Sequence, residues 1–164
     1  MAWPLHGLTL STPDLVLRVM TEADALALGE LVPDDVTTDP AHPDLGARVE
    51  QTYWRHMATW RPEDWVLPFT VLRQGELLGV QALEGKDFAV RRVVDSYSWL
   101  VTGARGQGVG RELLRVIESE ARARGCQRLS LTNLRDRESY QRQFYVKAGW
   151  RERAEAANFI YTLS

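Results

Sequence analysis

Three observations predict one α/β domain spanning residues 1–164. Apolar segments of two-residue and of helical period alternate along the chain, and most helical segments carry a start or stop signal. Composition supplies the third: 45% of the 164 residues are hydrophobic and 26% charged, which suits a single core burying roughly two thirds of the unfolded surface and argues against disorder. A second domain would need roughly 100 residues of its own.

The elements follow in order. Leu15, Val16, Leu17, Val19 and Met20 form an aliphatic run that reads as a strand, and Thr21 follows it as a helix N-cap with Glu22 and Asp24 in the first turn. Ala25, Leu26, Leu28 and Leu31 keep helical spacing up to Pro33, after which a Pro- and Asp-rich stretch reaching Asp44 has no period and reads as loop. Val49, Tyr53, Trp54 and Met57 recur at three and four, predicting a helix over 45–60 that stops before Pro62. Residues 65–73 and 76–83 read as two β segments joined by Gln74-Gly75, a hairpin. A strand over 93–101 places Asp95, Tyr97 and Trp99 on one face and Val94, Ser96, Ser98 and Leu100 on the other. The glycine-rich stretch 103–110 opens a helix whose buried side carries Leu113, Leu114, Val116, Ile117 and Ala121, with Gly125 as its stop. A strand over 128–132, a helix over 136–147 followed by Gly149, and a terminal strand over 158–163 complete the reading.

Several function classes lose support at once. Twenty Lys plus Arg against 22 Asp plus Glu give a net charge of −2, so no basic field exists to hold nucleic acid, and none is expected as a partner. No apolar run approaches the roughly 18 residues of a membrane span, and residues 1–10 lack the charged start and apolar stretch of a secretory leader. The single Cys126 cannot form an internal disulfide and reads as a small buried residue past Gly125; it fits a reducing compartment and a cytoplasmic location. His6, His42 and His56 share no ligand spacing with it, so no metal is expected.

Strand, glycine-rich turn and helix together make an anion cradle. Backbone N–H groups and the positive end of the helix dipole converge there, and the glycines let the anion approach the main chain. A Walker loop would need Lys and then Ser or Thr after the last glycine, but Gly110 is followed by Arg111 and Glu112. A dinucleotide fold would place its glycine turn after the first strand, with an acid closing the next one; here the turn lies two thirds of the way along and the next strand ends in Thr132-Asn133. Arg105 and Arg111 flank the cradle as candidate phosphate partners, Arg111 equally readable as a solvated helix residue.

Residues 100–150 resemble the Gcn5-related N-acetyltransferase (GNAT) family. Arg105, Gly108 and Gly110 stand as in its Gln/Arg-x-x-Gly-x-Gly/Ala hallmark, and Phe144-Tyr145-Val146-Lys147-Ala148-Gly149-Trp150 is similar to its Phe-Tyr-x-Lys-x-Gly-Phe ending. The upstream order of elements fits the same fold, so the resemblance extends over nearly the whole chain. It implies a mixed, mostly antiparallel sheet of six to seven strands flanked by about four helices. It also implies acetyl-CoA as cosubstrate, without metal, and direct attack by an amine of a small molecule or peptide on the thioester. Main chain at Leu100 and Val101 would pair the pantetheine arm, and amides of Arg105, Gly106, Gln107, Gly108, Val109 and Gly110 would hold the diphosphate. Tyr145 matches the family tyrosine that protonates the departing thiolate, a role for which a positioned acid is suited. The base is open among Asp95, Glu84 and Asp87; Asp95 falls about one residue from the family's strand glutamate, and one residue changes the face. Glu138 stands where many relatives carry an asparagine that contacts the coenzyme, with Asn133 as a substitute.

The two halves resemble different branches of this family. Residues 60–65 and 86–90 are similar to actinobacterial relatives of the ribosomal-protein alanine acetyltransferases, some of which use succinyl-CoA, whereas Arg137-Glu138-Ser139-Tyr140-Gln141-Arg142 is similar to small stand-alone acetyltransferases. A natural or engineered hybrid with its seam near residues 100–105 would produce that pattern. Trp54, Trp60 and Trp65 are candidate walls of an acceptor pocket, and Arg48, Arg55, Arg61, Arg91 and Arg92 candidate attractors of a carboxylate or acidic peptide, against the plainer readings of core and solvated surface. A coenzyme-binding module without turnover and a recombined scaffold are the alternatives to an enzyme, and a homodimer fits folds of this kind.

Overall fold

The structure, a computed structural model, describes residues 4–36, 45–91, 94–123, 129, 131 and 138–152. They belong to two compact units, Met1–Leu131 and Thr132–Ser164. In the first, strands β1 (Thr9–Ser11), β2 (Val16–Val19), β3 (Trp65–Arg73), β4 (Glu76–Gly85) and β5 (Asp95–Leu100) form an antiparallel sheet in chain order. Its helices are α1 (Glu22–Gly29), α2 (Leu45–Thr59), α3 (Phe88–Arg91) and α4 (Val109–Ala123).

The two-residue period of the strands sorts the core into two layers. The pairings Leu17 with Val71 and Val19 with Phe69 put these four side chains on one face. There they cluster with Leu15, Leu67, Leu78, Ala104 and, from α4, Val109 and Leu113, all nine-tenths or more buried. On the opposite face Val80 meets Met20, Ala25 and Leu28 of α1, and Tyr53 of α2. Val49, Met57, Leu77 and Trp99 pack against this second cluster. The stripe that predicted α2 therefore splits by one residue: Tyr53 is core, while its neighbour Trp54 is 47% exposed. Trp65 packs against the first cluster with Phe88 edge-on at 5.5 Å, a core role rather than that of a pocket wall.

Helix α1 begins where its local chemistry requires. The Thr21 side chain accepts the Asp24 N–H, and Asp24 accepts from the Thr21 N–H at 2.9 Å, a reciprocal capping box. Asp24, only 5% exposed, also takes a two-pronged hydrogen bond from the Arg18 guanidinium, at 2.5 and 2.7 Å.

Three features differ from the sequence reading. Every described strand pairing is antiparallel and five strands are described, where six to seven in a mixed sheet were expected; the strands expected over 128–132 and 158–163 lie essentially outside the described residues. Among the described residues six α-helical segments stand where about four were expected, because α3 is a single turn too short for a periodic signal and the helix expected over 136–147 is broken. In the second unit, α5 (Glu138–Gln141) and α6 (Phe144–Lys147) are separated by Gln143 at φ 53°, whose N–H returns to the Tyr140 carbonyl at 2.8 Å. Strand β1 was also unread, being only three residues long.

A glycine closes α6. Gly149, at φ 91°, donates to the Val146 carbonyl and Trp150 to the Tyr145 carbonyl, each at 3.0 Å, the paired bonds of a Schellman ending. The Trp150 ring then meets that of Tyr145 at 6.3 Å, the apolar contact this ending favours. Glycine and aromatic are thus spaced by the geometry of a helix stop, and Gly149→Ala, forced into a left-handed conformation, should cost about 1 kcal/mol in the unfolding free energy of a chemical denaturation series.

Burial works against the charge of Asp24, but hydrogen bonds from Arg18 and Thr21, together with the Arg18 charge, outweigh it and hold the carboxyl below its usual 3.8. A lowered folded-state value means the contribution is whole above the unfolded value and is lost as pH falls through the folded one. Asp24→Asn should therefore cost about 1–3 kcal/mol at pH 7 and remove the matching part of the acid sensitivity below pH 3.8, as read from denaturation midpoints between pH 2 and 7.

Candidate functional site

The glycine-rich turn hangs between two buried anchors. Strand β5 runs into it after the pairing of Leu100 with Gly79, and the Val101 N–H donates to the Leu78 carbonyl at 2.9 Å. The Val101 carbonyl accepts from Ala104 at 3.0 Å, so both of its main-chain groups are engaged. By the alternation of an antiparallel ladder, the main-chain groups of Leu100 face away from β4. Its carbonyl takes the Nε–H of Arg105 at 3.1 Å. Ala104, 3% exposed, and Val109, 0%, fix the two ends of the turn in the core.

Between these anchors the backbone presents donors. Gly106 at φ 76° and Gly108 at φ 83° adopt the left-handed conformation that favours glycine, and a Cβ at either would meet nothing within 4 Å. The glycines serve the turn's conformation, and the space before them is open. The Arg105 N–H returns to Thr102, and those of Arg111 and Glu112 return to the Gly108 carbonyl at 3.0 and 3.1 Å. Among the described residues, none accepts from the N–H of Gly106, Gln107, Gly108, Val109 or Gly110. Five successive donors at the N-terminus of the fifteen-residue α4 form an anion nest. The Glu112 carboxylate binds the Thr12 hydroxyl and so fastens the first turn of α4 to the β1–β2 connection.

The side chains around the nest have unequal freedom. The Arg105 guanidinium is committed to Asp35, with a two-pronged bond at 2.9 and 2.8 Å. Gln107 donates to the Gly103 carbonyl at 2.6 Å and accepts from Arg73 Nη1 at 3.2 Å. Arg111 is exposed in the first turn of α4.

A second polar group lies on the α2 side of the sheet. Register pairs Glu84 with Asp95 and Ala82 with Tyr97, which places Glu84, Asp95 and Tyr97 on the face that carries Val80 and Trp99. Glu84 is bridged to Lys86 at 3.2 Å, while Asp95 is exposed. Tyr97 is pushed up to about 12, by burial and by the Glu84 charge, with Arg55 opposing. His56 of α2 is held below 6.5 by burial and by Arg55, with Glu84 opposing. Asp87 stands apart from this face, at φ 47° in the turn before α3, with its N–H on Asp64 Oδ1 at 3.0 Å. Gln81, buried on the other face, donates to Ser96 Oγ at 2.7 Å and to the Tyr97 carbonyl at 3.2 Å, which locks β5 onto β4.

In the second unit Tyr145 lies on α6 between Phe144, edge-on at 5.0 Å, and Trp150. Burial raises its hydroxyl above the ordinary 10.0, so it stays protonated through the neutral range. Asn133 lies outside the described residues, and of Glu138 the structure describes only its place at the start of α5. Among the described residues no helix is long and apolar enough to cross a membrane.

An antiparallel sheet packed against helices, with a glycine-rich turn where its last described strand meets a long helix, defines an α+β fold class. The model of the acetyltransferase (GNAT) family matches residues 34–150, and the chain belongs to that family. Solved structures share the fold at low identity. A candidate ribosomal-protein-serine acetyltransferase from Vibrio cholerae superposes with a TM-score of 0.66 at 17% identity, over 88% of this chain and 83% of that one. A RimL ribosomal L7/L12 alpha-N-protein acetyltransferase in complex with coenzyme A gives 0.51 at 18% identity, over 73% and 70%. The glucosamine-6-phosphate N-acetyltransferase from Arabidopsis thaliana gives 0.55 at 14% identity, over 90% and 99%.

Sequence reasoning missed Asp35 and Arg73 beside the loop and His56 near Glu84. Asp35 is 70 residues from Arg105, and Arg73 is 34 from Gln107, so no local signal links them. The coupling on the α2 face is directly measurable: His56 should titrate below 6.5 in histidine NMR spectra, and Glu84→Gln, by removing the charge that favours its protonated form, should move it lower still.

Proposed function

We propose that this chain is an acetyl-CoA-dependent N-acetyltransferase acting on a primary amine of a small molecule or peptide. The observation that carries the reading is the set of five successive N–H groups without an acceptor among the described residues, in a family whose fold is shared by a coenzyme A complex. The residues present fit the coenzyme: the nest offers donors to a diphosphate, and the Leu100 N–H, facing away from β4, offers a donor to a pantetheine carbonyl. Val101 has both main-chain groups engaged within the protein, and Leu100 has its carbonyl engaged by Arg105, so the Leu100 N–H is the group that supports this pairing.

Acetyl-CoA supplies an activated acyl carbon and a thiolate leaving group. Asp95, exposed and opposite Glu84, takes a proton from the incoming ammonium through water, with Glu84 and its Lys86 partner beside it. The freed amine nitrogen bonds to the acyl carbon, the carbon–sulfur bond breaks, and the acylated nitrogen releases its second proton to solvent. Tyr145, which the family motif marks as the acid, is the proposed donor of the proton that the sulfur takes, and it is reprotonated from solvent. Burial keeps the Tyr145 hydroxyl protonated, so a proton is present there to give. Arg111 adds charge near the nest, whereas Arg105 holds Asp35 and shapes the turn from behind. The named acceptors of the neighbours, a ribosomal protein and an amino sugar phosphate, support an amine acceptor of either class here.

Calorimetric titration tests the donor site. Acetyl-CoA should bind with micromolar affinity and lose at least tenfold in Gly108→Asp, which sets a carboxylate before the five amides; succinyl-CoA in the same titration ranks the acyl donors. No binding by well-folded wild type sinks the reading. With an accepted amine, Tyr145→Phe should lower kcat roughly 10²-fold while leaving coenzyme affinity within about threefold, as followed by release of the free thiol.

A further inference from the structure

We propose that Arg73 binds the 3′-phosphate of the coenzyme, an assignment that rests on the coenzyme reading above. Strand β4 runs antiparallel to β5 with Gly79 opposite Leu100, so the β3–β4 hairpin turn lies at the sheet end where β5 enters the glycine-rich turn. Arg73 is the last residue of β3 and reaches that turn: its Nη1 donates to Gln107 Oε1 at 3.2 Å. The same Gln107 amide donates to the Gly103 carbonyl, so Arg73 is held at the rim of the nest, against a side chain rather than among the five backbone donors.

The arginines of this unit divide by what occupies their donor forks. Asp24 fills that of Arg18, and Asp35 with the Leu100 carbonyl fills that of Arg105. Arg73 has no acid partner among the described residues, and Gln107 occupies one of its donors. Coenzyme A carries two phosphates in its diphosphate and a third, a monoester dianion, on the ribose. The backbone nest matches the diphosphate, which leaves the outlying dianion for a cation at the rim. A guanidinium fork binds such a dianion through two charge-assisted hydrogen bonds. Arg73 thereby becomes a specificity residue that separates coenzyme A from its dephospho form.

The test is calorimetric binding of CoA and dephospho-CoA to wild type, Arg73→Gln and Arg73→Lys. Wild type should prefer CoA by about tenfold or more, Arg73→Gln should shrink that preference to within about twofold, and Arg73→Lys should retain an intermediate one. If Arg73→Gln keeps the wild-type ratio, or weakens both ligands equally by loosening Gln107, the assignment is overturned while the coenzyme reading stands. If wild type binds neither ligand, both fall together. A measurement on wild type needs no variant to fold: the Arg73 Nε–H NMR signal should shift with CoA and stay in place with dephospho-CoA, and an equal shift with both overturns the assignment.

Discussion

Ala104 and Val109 stand five residues apart in the chain and both lie in the core between the sheet and α4. The turn between them has no freedom to fold its amides inward. Its carbonyl at Gly108 is used by the first turn of α4, and its glycines Gly106 and Gly108 take left-handed conformations. A ligand that meets such a turn finds donors already oriented, so little ordering entropy remains to oppose binding. The anchors in turn depend on the strands beneath: Phe69, Val71 and Leu78 supply the surface on which Val109 and Leu113 rest. A binding loop this exposed is stable because its two ends are among the most buried residues of the unit.

Charge placement follows the same division between framework and site. Arg18 with Asp24 and Arg105 with Asp35 are two-pronged pairs that join segments apart in sequence, and each satisfies an arginine that would otherwise compete for a ligand anion. The arginine of the family hallmark is thus a strut in this structure, its guanidinium held by Asp35 and the Leu100 carbonyl. On the α2 face the arrangement is acidic: Glu84 and Asp95 face each other across adjacent strands, with Lys86 balancing one of them. Like charges placed opposite one another cost stability, and Lys86 offsets part of that cost here.

Much of the fold was legible because its determinants are local. Thr21 and Asp24 are three residues apart, and their reciprocal capping fixes the start of α1 whatever surrounds it. Gln74-Gly75 marks the hairpin because both residues take left-handed conformations there. The period of α4 and the glycines before it placed the nest, and Gly149 with Trp150 placed the stop after α6. Failures came where the signal was short or conflicted. Three residues of β1 and four of α3 are less than any period can register, and Gln143 interrupts a pattern that reads as one continuous helix.

The sequence by itself determined the order of elements, the glycine turn with its donors, and the family, because each rests on contacts within a few residues or on an ordered pair of motifs. Only the tertiary structure decided which polar side chains meet. Antiparallel register set Glu84 opposite Asp95, hairpin geometry brought Arg73 to Gln107, and the connection after α1 delivered Asp35 to Arg105. These partners are 11, 34 and 70 residues apart, and their meeting depends on strand pairing and core packing across the whole unit, which no local pattern of residues encodes.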